Sequence, residues 1–191
     1  VHAKQKRQIL ARLLKDPAMS SVIVFSRTKH GADKVTRNLA ADGFTAAVIH
    51  GNKSQNARQK ALNGFRDGSV RILVATDIAA RGIDVPGISH VVNYELPDEA
   101  ESYVHRIGRT GRNGADGIAI TLCDPAEQAK LRSVEKIIRM RLPVEADHRD
   151  EDIPYQAPAP KPRGDAANEN APAGRSNRPR GKFGQGAQAK R

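Results

Sequence analysis

Eight consecutive residues in the second half of the sequence have the types and the spacing needed for phosphate chemistry. The segment from His105 to Arg112 reads HRIGRTGR, so an arginine recurs every three residues and two glycines let the backbone turn tightly. A guanidinium can hold two phosphate oxygens at once, and an arginine placed on a transferring phosphoryl group can accelerate the transfer by ~10³ to 10⁵. A solvated basic loop is the alternative interpretation, but it would require neither the glycines nor the regular spacing. We therefore predict that Arg106, Arg109 and Arg112 belong to a phosphate-binding site.

Short polar segments also follow three of the predicted strands. Ser26-Arg27-Thr28 follows the first apolar run, His50-Gly51 the second and Thr76-Asp77 the third. In an open parallel sheet, ligands bind beyond the carboxyl ends of the strands, where loops lead into helix N-termini. Any one of these segments could equally be an ordinary solvent-facing loop, but their coincidence at one edge favours a binding function.

Gln55 and Arg58 lie three residues apart in the first turn of a predicted helix and should point the same way. The predicted apolar side of this helix consists of Ala57, Ala61, Leu62 and Phe65. A guanidinium beside the free backbone N–H groups of a helix N-terminus suits a phosphate. An ordinary solvated first turn is a fair alternative.

The elements that must position these residues alternate along the chain. An amphipathic helix comes first, with Ile9, Leu10, Leu13 and Leu14 at helical spacing, and it ends before Pro17. Short apolar runs predict strands at residues 22–25, 46–49, 70–75, 90–94 and 117–122. Helical patterns separate most of them, at about 30–42, 54–66, 98–107 and 125–139. This alternation predicts an α/β fold, in which helices cover both faces of a parallel β-sheet.

The sequence also predicts two helix caps and three aromatic residues in the core. Asp98 and Asp124 each precede a predicted helix and are each followed three residues later by a glutamate, so we expect both aspartates to cap helices. The aromatic residues expected to pack in the core rather than stack on bases are Phe44, Phe65 and Tyr94.

The composition indicates one domain with a polyanionic partner. Of the 191 residues, 38% are hydrophobic and 4% aromatic, which suits one lean core and an unfolded segment. The formal net charge of +11 and the pI of about 10.2 favour nucleic acid as the partner. Association with ribosomes or with an anionic membrane surface would produce the same charge.

Several classes of protein are excluded by the same composition. Cys123 is the single cysteine, which excludes an internal disulfide framework and an all-cysteine metal site, and we expect its thiol to be packed in the interior. The sequence has no stretch of about 18 apolar residues and no apolar signal-peptide core at its N-terminus. We therefore expect a cytoplasmic protein without a membrane partner. Because the sequence begins at Val1 rather than at methionine, we also expect that an upstream part has been removed.

We predict a folded domain at residues 1–146 and a disordered Pro/Gly/Arg-rich basic tail at residues 147–191. The stretch from Pro154 to Pro179 holds six of the eleven prolines, and the last eighteen residues carry six basic side chains and no acid. Such a composition cannot bury enough apolar surface to offset its ordering entropy. We expect the tail to bind nucleic-acid strands without sequence preference, the alternative being an inert solubilising tail.

Three segments are similar, in order and in spacing, to motifs of the DEAD-box RNA helicases. Residues 24–28 (VFSRT) resemble motif IV, residues 74–84 (VATDIAARGID) motif V, and residues 105–112 motif VI. The run HGNKSQ at 50–55, taken with Arg58, is similar to the Gln-x-x-Arg element of that family. The resemblance covers about residues 1–143. It implies a C-terminal, second RecA-like lobe, with greatest similarity to the bacterial RhlE subgroup.

For the nucleotide, the resemblance implies that Arg109 and Arg112 are catalytic arginine fingers on the γ-phosphate of ATP, with Gly82 and Asp84 beside the nucleotide. The ligands of the accompanying Mg²⁺ are implied to lie on the family's N-terminal lobe, so no metal ligand is expected in this chain. The Gly-x-x-x-x-Gly-Lys-Ser/Thr phosphate loop and the Asp-Glu-Ala-Asp sequence of that lobe are both absent. The run DEAE at 98–101 does not replace the latter, because no phosphate loop precedes it.

For partners, the resemblance implies RNA and the N-terminal lobe of the same helicase, and we expect a monomer. His105 and Arg106 are implied to link the two lobes. The residues implied to hold the RNA sugar-phosphate backbone are Arg27, Thr28, Gly51, Gln55, Arg58, Thr76, Arg81 and Gly82. Such contacts recognise shape and backbone with little base specificity.

Taken together, the sequence predicts half of an ATP-dependent RNA helicase, which we expect to be inactive without its other lobe. The main alternative is a nucleotide-independent RNA-binding or annealing module. A lobe of a DNA helicase from the same superfamily is a third interpretation, and the closeness of the segments at 74–84 and 105–112 to the RNA-helicase pattern disfavours it.

Overall fold

Five parallel strands form one sheet in the computed structural model, which describes residues 1–112, 116–148 and 151. The strands are β1 (Val22–Phe25), β2 (Ala46–Ile49), β3 (Ile72–Ala75), β4 (His90–Asn93) and β5 (Ile118–Thr121). Their order across the sheet is β2-β3-β1-β4-β5, and all neighbours pair in parallel. The predicted α/β fold is confirmed, and every strand lies within its predicted run.

Helices connect the strands and pack on both faces of the sheet. They are α1 (Lys6–Leu13), α2 (Lys29–Ala41), α3 (Gln55–Arg66), α4 (Asp77–Ala80), α5 (Ala100–Ile107) and α6 (Gln128–Ile138). A single 3₁₀ turn (Pro125–Glu127) precedes α6. The opening amphipathic helix and the four later predicted helices are confirmed. The short α4 was not predicted, since four residues are too few to show a helical period.

Side chains of β1 alternate between two core layers. Val22 and Val24 pack with side chains of α1 and α2 on one face of the sheet, while Ile23 and Phe25 pack with α3 and α4 on the other. All four are almost completely buried. A central parallel strand is covered on both faces, which explains why its sequence is continuously apolar rather than alternating.

The aromatic residues pack as predicted. Phe65 is buried in the layer on the α3 face, whereas Phe44 and Tyr94 are partly buried against the layer on the α1 face. The pairing register also aligns the carboxyl ends of the strands: Ala75 pairs with both Ile49 and Phe25. The polar residues that follow these strands therefore lie along one edge of the sheet, which we call the carboxyl edge.

One of the two predicted helix caps is correct. Asp124 caps the turn before α6, because its carboxylate accepts from the N–H of Ala126 and its own N–H donates to Glu127. The prediction for Asp98 was wrong: α5 begins one residue later than that cap would require, with no side-chain cap hydrogen bond. The carboxylate of Asp98 instead contacts Lys130 and lies 3.6 Å from Arg27, so two nearby cations hold it away from the helix end.

The predicted tail lies mostly outside the described residues. Two of its described residues contact the start of α1, since Nε2 of Gln5 donates to the carbonyls of His148 at 2.7 Å and Glu151 at 2.9 Å. The boundary near residue 146 and the disorder beyond it stay predictions. Among the described helices, none has the length and the apolar character needed to cross a membrane.

Candidate functional site

Arg106 anchors the arginine-rich segment to the carboxyl edge. Its Nε and Nη2 donate to the two carboxylate oxygens of Asp77 at 2.6 and 2.7 Å. Its Nη1 donates to Asn93 Oδ1 at 3.1 Å and to the carbonyl of Glu95 at 2.6 Å. The side chain is 1% exposed. Its guanidinium therefore serves this domain internally, and of the two residues implied to link lobes only the exposed His105 faces solvent.

Arg109 and Arg112 converge on the residues that end the segment 74–84. Nη1 of Arg109 donates to the carbonyl of Ile83 at 2.8 Å, and Nη1 of Arg112 lies 3.3 Å from Oδ1 of Asp84. Each arginine also holds its own segment, since Nε of Arg109 donates to the carbonyl of His105 and Nε of Arg112 to that of Gly108. The structure thus brings together three of the residues implied to bind nucleotide.

The two arginines keep donors for a ligand. Among the described residues, Nη2 of Arg109 and Nη2 of Arg112 have no hydrogen-bond partner. Burial, and next the charge of Arg112, lower the pKa of Arg109, while Asp84 opposes the shift. An arginine nevertheless stays charged at physiological pH. Two neighbouring cations with unused N–H groups provide a site for a negatively charged group such as a phosphate.

The turn after α4 presents Arg81 and Gly82 to solvent. Gly82 has a φ of +82°, in the region that side chains avoid, so a glycine is required for this turn. Arg81 and Arg109 contribute to one shallow depression, lined also by Phe25, Asp77, Ala80, Ser102, His105 and Arg106. Thr76 is only 9% exposed, so its contact with a ligand would run through the backbone or a limited part of the side chain.

Glu95 holds the turn at the end of β1, and the sequence did not indicate this role. Its Oε2 accepts from the hydroxyl of Ser26 at 2.8 Å and from the N–H of Arg27 at 2.9 Å. Thr28 then caps α2, because its hydroxyl accepts from the N–H of Gly31 at 3.0 Å. The side chain of Arg27 points to solvent, with 41% of its surface exposed. Sixty-eight residues separate Glu95 from Arg27, so no local pattern could have revealed the contact.

Gln55 and Arg58 lie side by side at the start of α3, as predicted. Nη1 of Arg58 is 3.5 Å from Oε1 of Gln55, and the buried Nε–H of Arg58 has no partner among the described residues. Buried donors are nearly always paired, so this N–H is available to an acceptor that the described part of the domain does not supply. The predicted apolar side of α3 needs one correction, since Ala57 is exposed at the first turn, while Ala61 and Phe65 are buried.

The residues implied to bind RNA spread over the ends of three neighbouring strands. They follow β2, β3 and β1, which are adjacent in the sheet. The residues implied to bind nucleotide lie where the end of the segment 74–84 meets the arginine-rich segment, and Gly82 belongs to both sets. Within the described part of the chain, no cluster of three or more His, Cys, Asp or Glu side chains could hold a metal ion.

Known proteins resemble this chain both in sequence and in fold. The family model for the helicase conserved C-terminal domain matches residues 5–114. The ATP-dependent RNA helicase CshA of Listeria monocytogenes is 47% identical over 152 residues, which is 79% of this chain and 29% of CshA. The chain thus spans less than a third of the length of the curated relatives it matches.

Solved structures of DEAD-box proteins also match this chain. The E. coli DEAD-box protein SrmB, bound to regulator of ribonuclease activity A, matches with a TM-score of 0.70 and 36% identity over 73% of this chain and 82% of that chain. S. cerevisiae Dbp5 bound to RNA and ADP BeF3 matches with a TM-score of 0.67 and 33% identity over 74% and 39%. The similarity to the RhlE subgroup stays a prediction. The chain belongs to the helicase conserved C-terminal domain family, as a C-terminal RecA-like lobe of the DEAD-box RNA helicase type.

Proposed function

We propose that this lobe completes the ATPase site of an ATP-dependent RNA helicase by supplying Arg109 and Arg112 as arginine fingers. One observation carries the proposal: Arg109 and Arg112 converge on Ile83 and Asp84, and the Nη2 group of each arginine has no partner among the described residues. A guanidinium held in place by its own backbone contacts costs little to orient when a phosphoryl group arrives. We propose that the exposed carboxylate of Asp84 accepts hydrogen bonds from the ribose of the nucleotide.

The remaining parts of the ATPase site would come from an N-terminal lobe. In a P-loop NTPase, hydrolysis uses a phosphate loop with its lysine and carboxylates for Mg²⁺. This sequence has no phosphate loop, and the described part of the chain has no metal cluster. Closure of the two lobes would bring the arginine fingers to the γ-phosphate. The ATP dependence in the name of the relative CshA supports ATP as the nucleotide.

We further propose that the carboxyl edge holds an RNA backbone. The side chains of Arg27, Gln55 and Arg58 and the turn at Arg81 lie at the ends of adjacent strands, and Nε of Arg58 lacks an acceptor in the described part of the domain. Arginines without aromatic platforms suit phosphate contacts rather than base stacking. The complex of the relative Dbp5 with RNA supports this assignment.

We also propose that the complete helicase acts in the cytoplasm, as a monomer.

The decisive experiment compares this chain alone with the same chain joined to the N-terminal lobe of a DEAD-box helicase. We expect no RNA-stimulated phosphate release from the 191-residue chain and clear release from the joined protein. RNA-stimulated release by the chain alone, undiminished by Arg109→Ala or Arg112→Ala, would refute the proposal. If the joined protein binds RNA equally well with and without nucleotide and never hydrolyses ATP, the RNA-binding or annealing module is the correct function.

A further inference from the structure

We infer that Asp33 is a positioning residue, which fixes two turns of the proposed RNA-binding surface relative to each other: residues 26–28, and residues 50–54 at the start of α3. Asp33 is the fifth residue of α2, the helix that follows the first of these turns. Its carboxylate reaches the second turn through His50 and Lys53. The inference rests on the proposed RNA-binding function, because it explains how two separate turns are held in one arrangement.

His50 is buried at the start of the second turn, with a side chain that is 3% exposed. Its Nδ1 accepts from the N–H of Asn52 at 3.2 Å, and its carbonyl accepts from the N–H of Lys53 at 3.0 Å. A neutral imidazole that accepts at Nδ1 must carry its proton on Nε2. His50 therefore closes the turn from within and presents Nε2–H to its surroundings.

The surroundings of Nε2 contain Asp33. Oδ2 of Asp33 lies 3.1 Å from Nε2, although off the line of an aligned hydrogen bond, so the contact is chiefly electrostatic. The other oxygen, Oδ1, lies 3.0 Å from Nζ of Lys53. The hydrogen bond with Lys53, more than the contact with His50, lowers the pKa of Asp33 and keeps it ionised. One carboxylate thus holds two residues of the turn.

The cluster of Asp33, His50 and Lys53 orders the groups on either side of it. Gly51 and Gln55, both proposed to contact RNA, flank Lys53 and the capping residue Ser54. Arg27 and Thr28 precede the helix that carries Asp33. Binding is strongest when such groups are ordered before the ligand arrives, because less conformational entropy is then lost. None of the three cluster residues needs to touch RNA for the cluster to increase affinity.

Replacing Asp33 should have two opposite effects on RNA binding: it removes a negative charge, and it removes the contacts that hold the turn. Replacing an aspartate by asparagine removes a negative charge, which by itself should strengthen binding to polyanionic RNA slightly. Asp42→Asn is the matched control, because Asp42 lies at the other end of α2 and is also ion-paired, with Arg7 at 2.7 Å. In the 191-residue chain, we expect Asp33→Asn to weaken binding to single-stranded RNA about fivefold. We expect Asp42→Asn to leave it unchanged or slightly stronger. Equal effects of the two variants would overturn the inference.

Histidine variants separate the two contacts of His50. Asn at this position retains an acceptor near the place of Nδ1, whereas Gln retains a donor near the place of Nε2. We expect each to weaken RNA binding, and the effect of His50→Asn to shrink strongly when Asp33→Asn is already present, because both act through one contact. Additive effects would contradict the network. Thermal unfolding identifies any variant that loses affinity because it unfolds.

The tautomer of His50 can be measured directly. We expect ¹⁵N NMR of the folded chain to show His50 protonated on Nε2, and protonation on Nδ1 would contradict the geometry.

The same binding assay tells the two proposals apart. Arg58→Ala removes a proposed RNA contact directly. If Arg58→Ala weakens binding and Asp33→Asn does not, the RNA surface stands and the positioning role of Asp33 falls. If the wild-type chain does not bind RNA, or if neither Arg58→Ala nor Asp33→Asn changes its affinity, the proposed RNA-binding function of the carboxyl edge has itself failed.

Discussion

Arg106 and Asp77 form a two-point ion pair, with N–O distances of 2.6 and 2.7 Å, that joins the arginine-rich segment to the end of β3. The arginine is almost fully buried, and the aspartate is 27% exposed. Such a pair gives little net stability against a well-packed apolar replacement, but it is costly to break from one side. Its role here is to set the direction in which α5 leads to Arg109 and Arg112.

Arg106→Ala should therefore destabilise the domain. The substitution leaves the carboxylate of Asp77 without its partner and opens a cavity beside Phe25, whose ring centroid lies 5.0 Å from the guanidinium. We expect the free energy of unfolding to fall by about 3 kcal/mol, measured by urea denaturation. The exposed Arg132 is the control, and Arg132→Ala should change stability by less than about 0.5 kcal/mol. A similar small loss for both variants would mean that the pair has no structural role.

Arg109→Ala and Arg112→Ala should each remove catalysis in the protein joined to an N-terminal lobe. We expect kcat for ATP hydrolysis to fall by ~10³ or more, with a much smaller change in the affinity for RNA. Arg109→Lys keeps the charge but not the planar group that also reaches Ile83, and it should remain severely impaired. A loss of RNA affinity with unchanged kcat would reassign these arginines to the RNA surface.

Tyr94 should make the domain sensitive to alkaline pH. Burial, and then the charge of Glu95, raise the pKa of Tyr94 to about 12 from an ordinary value of 10.0. The unfolded chain therefore loses this proton first, so the stabilisation is complete below about pH 10 and is lost as pH rises through 12. A shift of this size corresponds to a contribution of about 3 kcal/mol.

Tyr94→Phe removes this ionisation and should move the alkaline unfolding midpoint to higher pH. Tyr155 lies outside the described residues, in the predicted tail, and Tyr155→Phe is the control that should leave the midpoint in place. Titration by tyrosinate absorbance should show Tyr94 ionising together with unfolding. Ionisation of Tyr94 near pH 10 in the folded chain would contradict the burial of its hydroxyl.

Cys123 should react slowly with alkylating reagents. Its thiol is half-buried, and burial, followed by the charge of Glu127, raises its pKa. Thiolate is the reactive form, so we expect slower alkylation at neutral pH than for a free cysteine, and normal reactivity in denaturant. Because this is the single cysteine, labelling of the whole chain reports it directly. Equally fast labelling with and without denaturant would show that the thiol is not protected.

Deletion of residues 152–191 tests the predicted role of the tail. If the basic tail holds RNA phosphates, its removal should lower affinity and reduce the slope of log K against log salt by about 0.7 for each phosphate that the tail had neutralised. Fluorescence anisotropy with a labelled single strand at several salt concentrations measures both quantities. An unchanged affinity and slope would support the inert solubilising tail.

The sequence by itself determined the class of fold and predicted where along the chain the site lies. Continuous apolar runs of four to six residues favour strands of a covered sheet, and the helical repeats between them favour parallel pairing. Parallel pairing in turn brings the residues after every strand to one edge, which is why Arg27, Gly51 and Thr76 could be placed together before any coordinates. The arginine repeat at 105–112 predicted phosphate chemistry by side-chain type alone.

The tertiary structure decided which charged groups face each other. Asp98 has the local signature of a helix cap, yet Lys130 and Arg27 draw its carboxylate away. Arg106 is equivalent to Arg109 and Arg112 in the sequence repeat, and only the position of Asp77 shows that the first is internal while the other two retain unused donors. These contacts join residues that are 29 to 71 positions apart, and local periodicity carries no information on pairs at such separations.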